Sequence, residues 1–180
     1  MNSKQTIQGN LAISSRNANQ YSGITRVDGG LYIREDVSLT APALTEVCGG
    51  LYLYGDASLT APALTEVCGG LYISGGASLI ADALTKVCGS LDIRKGAILR
   101  GPALTEVHGG LYIHKGARII SPTWKELAFG GNFYLYQTPA ALYQAGCRGP
   151  WTADEALAHW SGDLDKCRRF RDAIIKMEAA

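Results

Sequence analysis

The sequence contains few of the residues on which catalysis usually depends. Only three histidines occur in 180 residues, at His108, His114 and His159. The first two belong to a repeated segment and the third to a predicted helix, so their spacing assembles no trio of nucleophile, base and orienting group. We therefore predict a protein that is not an enzyme and that needs no cofactor.

Long apolar runs and an excess of one charge are also missing. No apolar run approaches the roughly 18–20 residues of a membrane span, and residues 1–6 lack the apolar stretch of a secretory signal. Lys and Arg number 17 against 16 Asp and Glu, a net charge of +1, and no nucleic-acid-reading motif is present. We expect a cytoplasmic protein that has no membrane partner, and we do not expect it to bind nucleic acid.

The cysteines do not form the even set of a disulfide framework. There are five, and Cys48, Cys68 and Cys88 share one repeat position that His108 continues, which favours free thiols. Cys and His are zinc ligands. Side chains stacked at steps of about 4.8 Å lie in a line, however, so two or three of them could share a metal, but four could not surround the point that a tetrahedral centre needs. We predict no metal site, while the inward or outward orientation of this column stays open.

What the sequence does contain is a repeat of twenty residues. Nearly the same phrase begins at Val27, Val47, Val67, Val87 and Val107. Residues 7–26 form a degenerate first unit, and the match resumes with a two-residue shift at 133–136. A fixed period means that each unit contacts its neighbours, so aligned residues become columns on a stacked fold.

Within one unit the pattern predicts short strands joined by corners. Val47, Leu51 and Leu53 have the spacing of inward-facing residues in a strand, with Tyr52 between them pointing out. The pairs Gly49-Gly50, before this strand, and Gly55-Asp56, after it, are typical of corners that need positive φ. We predict a mainly β fold, a right-handed parallel β-helix of six to seven coils over residues 7–136, after an N-terminal tail at 1–6 and before a helical cap at 137–180.

The segment Leu64-Thr65-Glu66-Val67-Cys68-Gly69-Gly70-Leu71-Tyr72-Ile73 resembles the core repeat of L domains in growth-factor receptor ectodomains and fungal wall proteins. It is also similar to leucine-rich-like repeat proteins of bacterial or prophage type. The resemblance covers about residues 7–136 and concerns the scaffold. It implies a surface for ligand binding, but it assigns no individual residue to a site.

The C-terminal region predicts three helices. Thr138-Pro139 favours a helix start, with Gly146 as its end. The capping-box pattern from Thr152 to Glu155 predicts a second helix reaching about Trp160. A third helix is expected from about Asp163. We expect these helices to cover the open end of the β-helix, where unpaired strand edges would otherwise be exposed.

Two surface features are candidates for partner binding. The first is a stripe of outward-facing residues that suits either strand stacking or a protein interface: Tyr32, Tyr52, Tyr54, Tyr72, Asp92, Tyr112 and Tyr134. Asp92 interrupts the aromatic column. The second is a group of basic residues at the corners of the later coils: Arg94, Lys95, His114, Lys115 and Arg118.

Charge is distributed unevenly along the repeats. Residues 27–66 hold six acidic residues and one arginine, whereas residues 86–126 hold seven basic and three acidic residues. Such a separation can steer an acidic partner to the later coils or align copies of the chain.

We therefore expect a protein-binding repeat module that uses its rigid face or its helical cap, with a phage- or prophage-encoded inhibitor or immunity-type protein as one form of that role. The partner would be an unidentified protein, or a second copy bound through faces or ends. The alternatives are a self-assembling structural solenoid and a carbohydrate-active enzyme.

Overall fold

A computed structural model of the chain describes residues 5–127, 135–145 and 148–178. Its main body is a β-solenoid in which three parallel sheets run the length of the stack. Each complete twenty-residue coil contributes one short strand to each of the three sheets. Three strands and three bends therefore make one turn, as the repeat predicts.

The first parallel sheet consists of β1 (Gln5–Ile7), β3 (Ile24–Val27), β6 (Glu46–Val47), β9 (Glu66–Val67), β12 (Lys86–Val87) and β15 (Glu106–Val107). The second consists of β2 (Leu11–Ile13), β4 (Leu31–Ile33), β7 (Leu51–Leu53), β10 (Leu71–Ile73), β13 (Leu91–Ile93) and β16 (Leu111–Ile113). The third consists of β5 (Ser38–Thr40), β8 (Ser58–Thr60), β11 (Ser78–Ile80), β14 (Ile98–Arg100) and β17 (Arg118–Ile120). A 3₁₀ turn, Ala18–Tyr21, replaces the third-sheet strand in the first coil.

The register of these sheets follows the sequence period. Leu51 pairs with Leu71, and Tyr52 pairs with Tyr72, twenty residues later. Because side chains alternate along a strand, each inward column stays apolar over the whole stack. Leu51, Leu53 and Val67 are fully buried in it, as their spacing predicts.

Of the two predicted corner pairs, only the second has positive φ: Gly55 has a φ of 68°, whereas Gly49 and Gly50 are not in the positive-φ region. The pair Gly49-Gly50 is needed for another reason. At Gly49 a Cβ would lie 2.6 Å from the backbone carbon of Gly29 in the previous coil. Glycine is required there because two backbones approach closely.

The solenoid ends near Trp124. This side chain is buried, and its indole Nε1 donates a hydrogen bond to the carbonyl oxygen of Leu104, 2.7 Å away. The chain then forms an antiparallel sheet of β18 (Lys125–Leu127), β19 (Leu135–Gln137), β20 (Tyr143–Ala145) and β21 (Arg148–Trp151).

This sheet corrects two expectations. Leu135–Gln137 does not add a seventh parallel rung, because it pairs antiparallel with Lys125–Leu127. The helix expected from Thr138 is instead a turn. The Thr138 backbone N–H donates to the carbonyl oxygen of Leu142 at 2.8 Å, and the strand Tyr143–Ala145 follows.

The other two predicted helices are present, as α1 (Ala153–His159) and α2 (Leu164–Glu178). Thr152 caps α1 through the predicted capping box with Glu155. Phe170 of α2 is fully buried and contacts Tyr143 edge-on, with ring centroids 5.1 Å apart. The helices thus share with the antiparallel sheet a small hydrophobic cluster separate from the solenoid core.

Candidate functional site

The outward face of the second sheet carries a column of tyrosines, which we call the tyrosine ladder: Tyr32, Tyr52, Tyr72 and Tyr112, with Asp92 between the last two. The rings of Tyr32 and Tyr52 are parallel within 3° and their centroids are 4.7 Å apart; those of Tyr52 and Tyr72 are 5.0 Å apart. All four tyrosines are half-buried. Tyr32, Tyr52 and Tyr72 of the predicted stripe therefore form an ordered stack.

Each ring lies over the glycine two residues before it. A Cβ at Gly50 would be 2.6 Å from the ring of Tyr52, and a Cβ at Gly70 would be 2.5 Å from the ring of Tyr72. In the one coil where the ladder residue is Asp92, the corresponding position holds Ser90. The absence of a side chain at these glycines thus accommodates the ring, and the two positions change together within this chain.

Asp92 keeps its position in the column, but it is buried, whereas a member of an outward stripe is expected to be exposed. Only 7% of its surface is accessible. Arg94 donates to its Oδ2 through Nε at 3.2 Å and through a terminal nitrogen at 3.1 Å. His114 Nε2 is 3.4 Å from the buried Oδ1, in ion-pair range, although Oδ1 has no partner of hydrogen-bond geometry. Two residues of the predicted basic group therefore cover the carboxylate.

A depression of about 150 Å³ lies where the ladder is interrupted. Its lining includes the small side chain of Ser74, which lies between Tyr54 and Arg94 in one column. Tyr72 and Asp92 of the ladder line another part of it. Tyr54 is 37% exposed beside Tyr52, with ring centroids 6.3 Å apart. This arrangement combines aromatic surface, a carboxylate and a guanidinium group in one recess.

The remaining predicted basic residues flank this face. Lys95, Lys115 and Arg118 are exposed. Within residues 5–127 and the other described ranges, none of these three forms an ion pair, in contrast to Arg94, which pairs with Asp92. We call these five residues, Arg94, Lys95, His114, Lys115 and Arg118, the basic corner. Its three unpaired cations remain available to an external anion.

The cysteine column lies on the outside of the first sheet, which settles its orientation. Cys48, Cys68 and Cys88 are half-buried. Their thiols contact glutamates of the neighbouring outward column: Cys48 Sγ is 3.2 Å from Glu46 Oε1, and Cys88 Sγ is 3.1 Å from Glu66 Oε1.

The surroundings keep these thiols protonated. Desolvation, with help from the hydrogen bond to Glu46, raises the pKa of Cys68 to about 11. The pKa of Cys48 is raised by the same two causes. Sequence reasoning compared the cysteines with one another and missed Glu46; the alternation of strand residues, which places positions 46 and 48 on one side, was the signal that could have found it.

Tyr134 lies outside the described residues. The other predicted site residues fall into two groups that meet at Asp92: the ladder, and the basic corner through Arg94 and His114. In the described part of the chain, no helix is long and apolar enough to cross a membrane. Comparison with protein-family models, curated proteins and solved structures gave no match.

Proposed function

We propose that this chain is a protein-binding repeat module whose docking surface is the tyrosine ladder together with the basic corner, and that its partner is a protein with an acidic, partly apolar surface. The observation that carries the proposal is that Lys95 and Lys115, which form no ion pair among the described residues, follow the later strands of the same sheet that carries the tyrosine ladder, with Arg118 just beyond them. An inhibitor or immunity-type role is one form that such binding would take.

The ladder has the properties of an interface core. Tyrosine provides apolar contact area with a polar tip, and it is enriched where proteins meet. Because the rings are already stacked in register, docking would immobilise few rotamers, which lowers the entropic cost of association. Five rungs at about 4.8 Å span roughly 19 Å, a useful fraction of a standard interface of about 800 Å² per partner.

The charges favour an acidic partner. Lys95, Lys115 and Arg118 would attract carboxylates, whereas Asp92 is already covered by Arg94 and His114. Long-range attraction between exposed charges accelerates association and weakens as salt is added. Capture of the partner should therefore be strongest at low ionic strength.

The charge separation along the rod also favours a second candidate, self-association. The early coils expose Glu35, Asp36 and Asp56, and the later coils expose Lys95 and Lys115. Two copies packed antiparallel would bring each acidic end to a basic end. Size-exclusion chromatography with light scattering separates the candidates, since self-association raises the mass with concentration, whereas a binder of another protein keeps one mass.

The partner test compares variants in pull-downs from the native host. Tyr52→Ser, Tyr72→Ser and Tyr112→Ser combined should abolish capture while circular dichroism stays unchanged. The matched control is Ile80→Ser with Ile120→Ser, which removes exposed apolar side chains from the third sheet and should leave capture intact.

A second variant, Lys95→Glu with Lys115→Glu, tests the basic corner. It should lose capture at low salt, where the wild type binds best. Retention of the same captured protein by both the tyrosine variant and this charge variant would refute the proposed surface. The absence of enzymatic activity stays a prediction from the sequence.

A further inference from the structure

The first sheet places two thiols and a carboxylate around one point. Cys48 Sγ is 3.2 Å and Cys68 Sγ is 3.6 Å from the same oxygen, Glu46 Oε1. The three donor atoms all lie within 4.8 Å of one another. Thiolate and carboxylate groups are ligands of zinc and of related thiophilic divalent cations.

The objection raised by the sequence does not apply to this set. Cys48 and Cys68 by themselves define a line along the stack. Glu46 belongs to the neighbouring column, so its carboxylate lies to one side of that line and completes a triangle.

The two sulfur-to-oxygen distances fit a tetrahedral metal centre. Bonds of about 2.3 Å from zinc to sulfur and 2.0 Å to oxygen, at tetrahedral angles, separate a sulfur from an oxygen ligand by about 3.5 Å. The two observed separations, 3.2 and 3.6 Å, are close to that value. A cation could therefore enter with side-chain adjustments of a few tenths of an ångström on the carboxylate side.

The residues around the triangle orient its carboxylate. Asp28 Oδ1 is 3.9 Å from Cys48 Sγ. Arg26 donates to that oxygen at 2.7 Å and forms an ion pair with the other oxygen of Glu46. Such contacts to ligating carboxylates orient them, and the positive guanidinium would offset part of the negative charge of the ligands.

We propose that Cys48, Cys68 and Glu46 form a binding site for a thiophilic divalent cation of the zinc type, with water in the fourth coordination position, as in sites with three protein ligands. On binding, each thiol gives its proton to solvent and coordinates as a thiolate. Because Cys48 and Cys68 belong to successive coils, the cation joins them. The site is on the first sheet and is independent of the proposed docking surface.

The next coil explains why the site does not simply repeat along the column. Cys88 contacts Glu66 Oε1 at 3.1 Å, but Lys86 Nζ is also 3.1 Å from that oxygen. Lys86 occupies the position that holds Glu46 and Glu66 in the preceding coils. The Lys86 ammonium group thus already neutralises the Glu66 carboxylate. Cys88 therefore serves as a control within the same chain.

Cobalt(II) is the probe, added to the full chain under a non-thiol reductant. Thiolate coordination produces a ligand-to-metal charge-transfer band in the ultraviolet and intense visible bands typical of tetrahedral cobalt. We expect one cobalt ion per chain and loss of these bands when Zn²⁺ is added as a competitor. Absence of the charge-transfer band would overturn the proposal.

The variants locate the site. Cys48→Ser and Cys68→Ser should each abolish the wild-type bands, whereas Cys88→Ser should retain them with unchanged stoichiometry. Loss of the bands in Cys88→Ser, or their retention in both other cysteine variants, would show scattered thiol binding and overturn the proposal.

Glu46→Gln keeps both thiols and tests the carboxylate separately, with circular dichroism as the check on folding. We expect it to weaken cobalt affinity about tenfold or more, since the loss even of groups that only orient ligands costs ten- to a hundredfold. Unchanged affinity would remove Glu46 from the ligand set and refute the site as proposed.

Discussion

Replacing Asp92 by tyrosine would fill the gap in the tyrosine ladder, and we expect the cost of that replacement to depend on residue 90. In the neighbouring coils each ring lies over a glycine, and a Cβ there would be 2.5 Å from Cε2 of Tyr72 or Tyr112. Ser90 carries such a Cβ. A ring introduced at position 92 therefore cannot adopt the position of its neighbours unless residue 90 becomes glycine.

The free-energy cost of Asp92→Tyr can be worked out from these contacts. Carbon atoms pack best about 3.5–4.0 Å apart, so a 2.5 Å approach forces the ring out of the stack. Overpacking of this kind typically costs about 1–3 kcal/mol. With Ser90→Gly, the ring can stack on Tyr72 and Tyr112, at roughly 0.5–1.5 kcal/mol for each pair.

Ser90→Gly by itself has a cost, because the Ser90 hydroxyl accepts a hydrogen bond from the backbone N–H of Gly110 at 3.2 Å. Loss of that bond is worth about 0.5–1.5 kcal/mol. Each single replacement should therefore destabilise the protein, and the pair should be less destabilising than the sum. We expect a favourable coupling free energy of about 1–3 kcal/mol.

The assay is a double-mutant cycle from urea unfolding, followed by circular dichroism, of the wild type, Ser90→Gly, Asp92→Tyr and the double variant. Ser90→Ala with Asp92→Tyr is the control, since alanine removes the hydroxyl but keeps the Cβ. It should not rescue the tyrosine. Equal stability of Asp92→Tyr in the serine, alanine and glycine backgrounds would refute the steric explanation of the ladder.

Three further outcomes test other parts of the fold. In Gly69→Ala the new Cβ would lie 2.6 Å from the backbone nitrogen of Gly50, so this variant should be less stable by about 3 kcal/mol in urea unfolding. Its control is Gly162→Ala, whose Cβ would have no described atom within 4 Å and which should change stability by less than about 0.5 kcal/mol. Thr152→Ala removes the cap of α1 and should cost that region about 1 kcal/mol, measured by tryptophan fluorescence during unfolding. Hydrogen bonds from Thr152 lower the pKa of Glu155 below its ordinary 4.5, so its stabilisation of α1 is complete above that value and is lost as the pH falls through the lowered pKa. An acid titration of helical circular dichroism should show this loss, and Glu155→Gln should remove the part of the acid dependence that comes from α1.

The solenoid could be predicted from the sequence because one rule is repeated in every coil. An apolar residue at 47, 51 or 53 recurs twenty residues later, so a single alternation of strand residues fixes the buried columns of all the coils. The same alternation also predicted the outward column that contains Tyr52. Column logic alone could not show that Asp92 is buried, because its cover comes from another column: from Arg94, two residues later in the chain, and from His114 in the next coil.

The region after the repeats was predicted less well because local and tertiary preferences compete there. Thr138 suits a helix N-cap, and the expected helix used that preference. In the structure the Thr138 hydroxyl accepts a hydrogen bond from the Leu142 backbone N–H at 3.3 Å, and Ala141 has a φ of 59°. The same capping chemistry thus stabilises a turn, and strand pairing of Tyr143–Ala145 with Leu135–Gln137 decides the outcome. Thr152 has no competing strand partner of this kind, and its predicted helix is confirmed.

Several departures from the repeat fall in the coil that contains Asp92, and each of these is coupled to a neighbouring position. Ser90 occurs with Asp92 because no ring needs the space over residue 90. Asp92 is buried because Arg94 covers it, and Lys86 pairs with Glu66 of the previous coil. Independent drift in a solvated surface would not require such matched partners. The coupling therefore indicates that the residue changes in this coil were accommodated together. The ladder interruption, the recess beside it and the change from acidic to basic corners lie within the same segment of the proposed docking face.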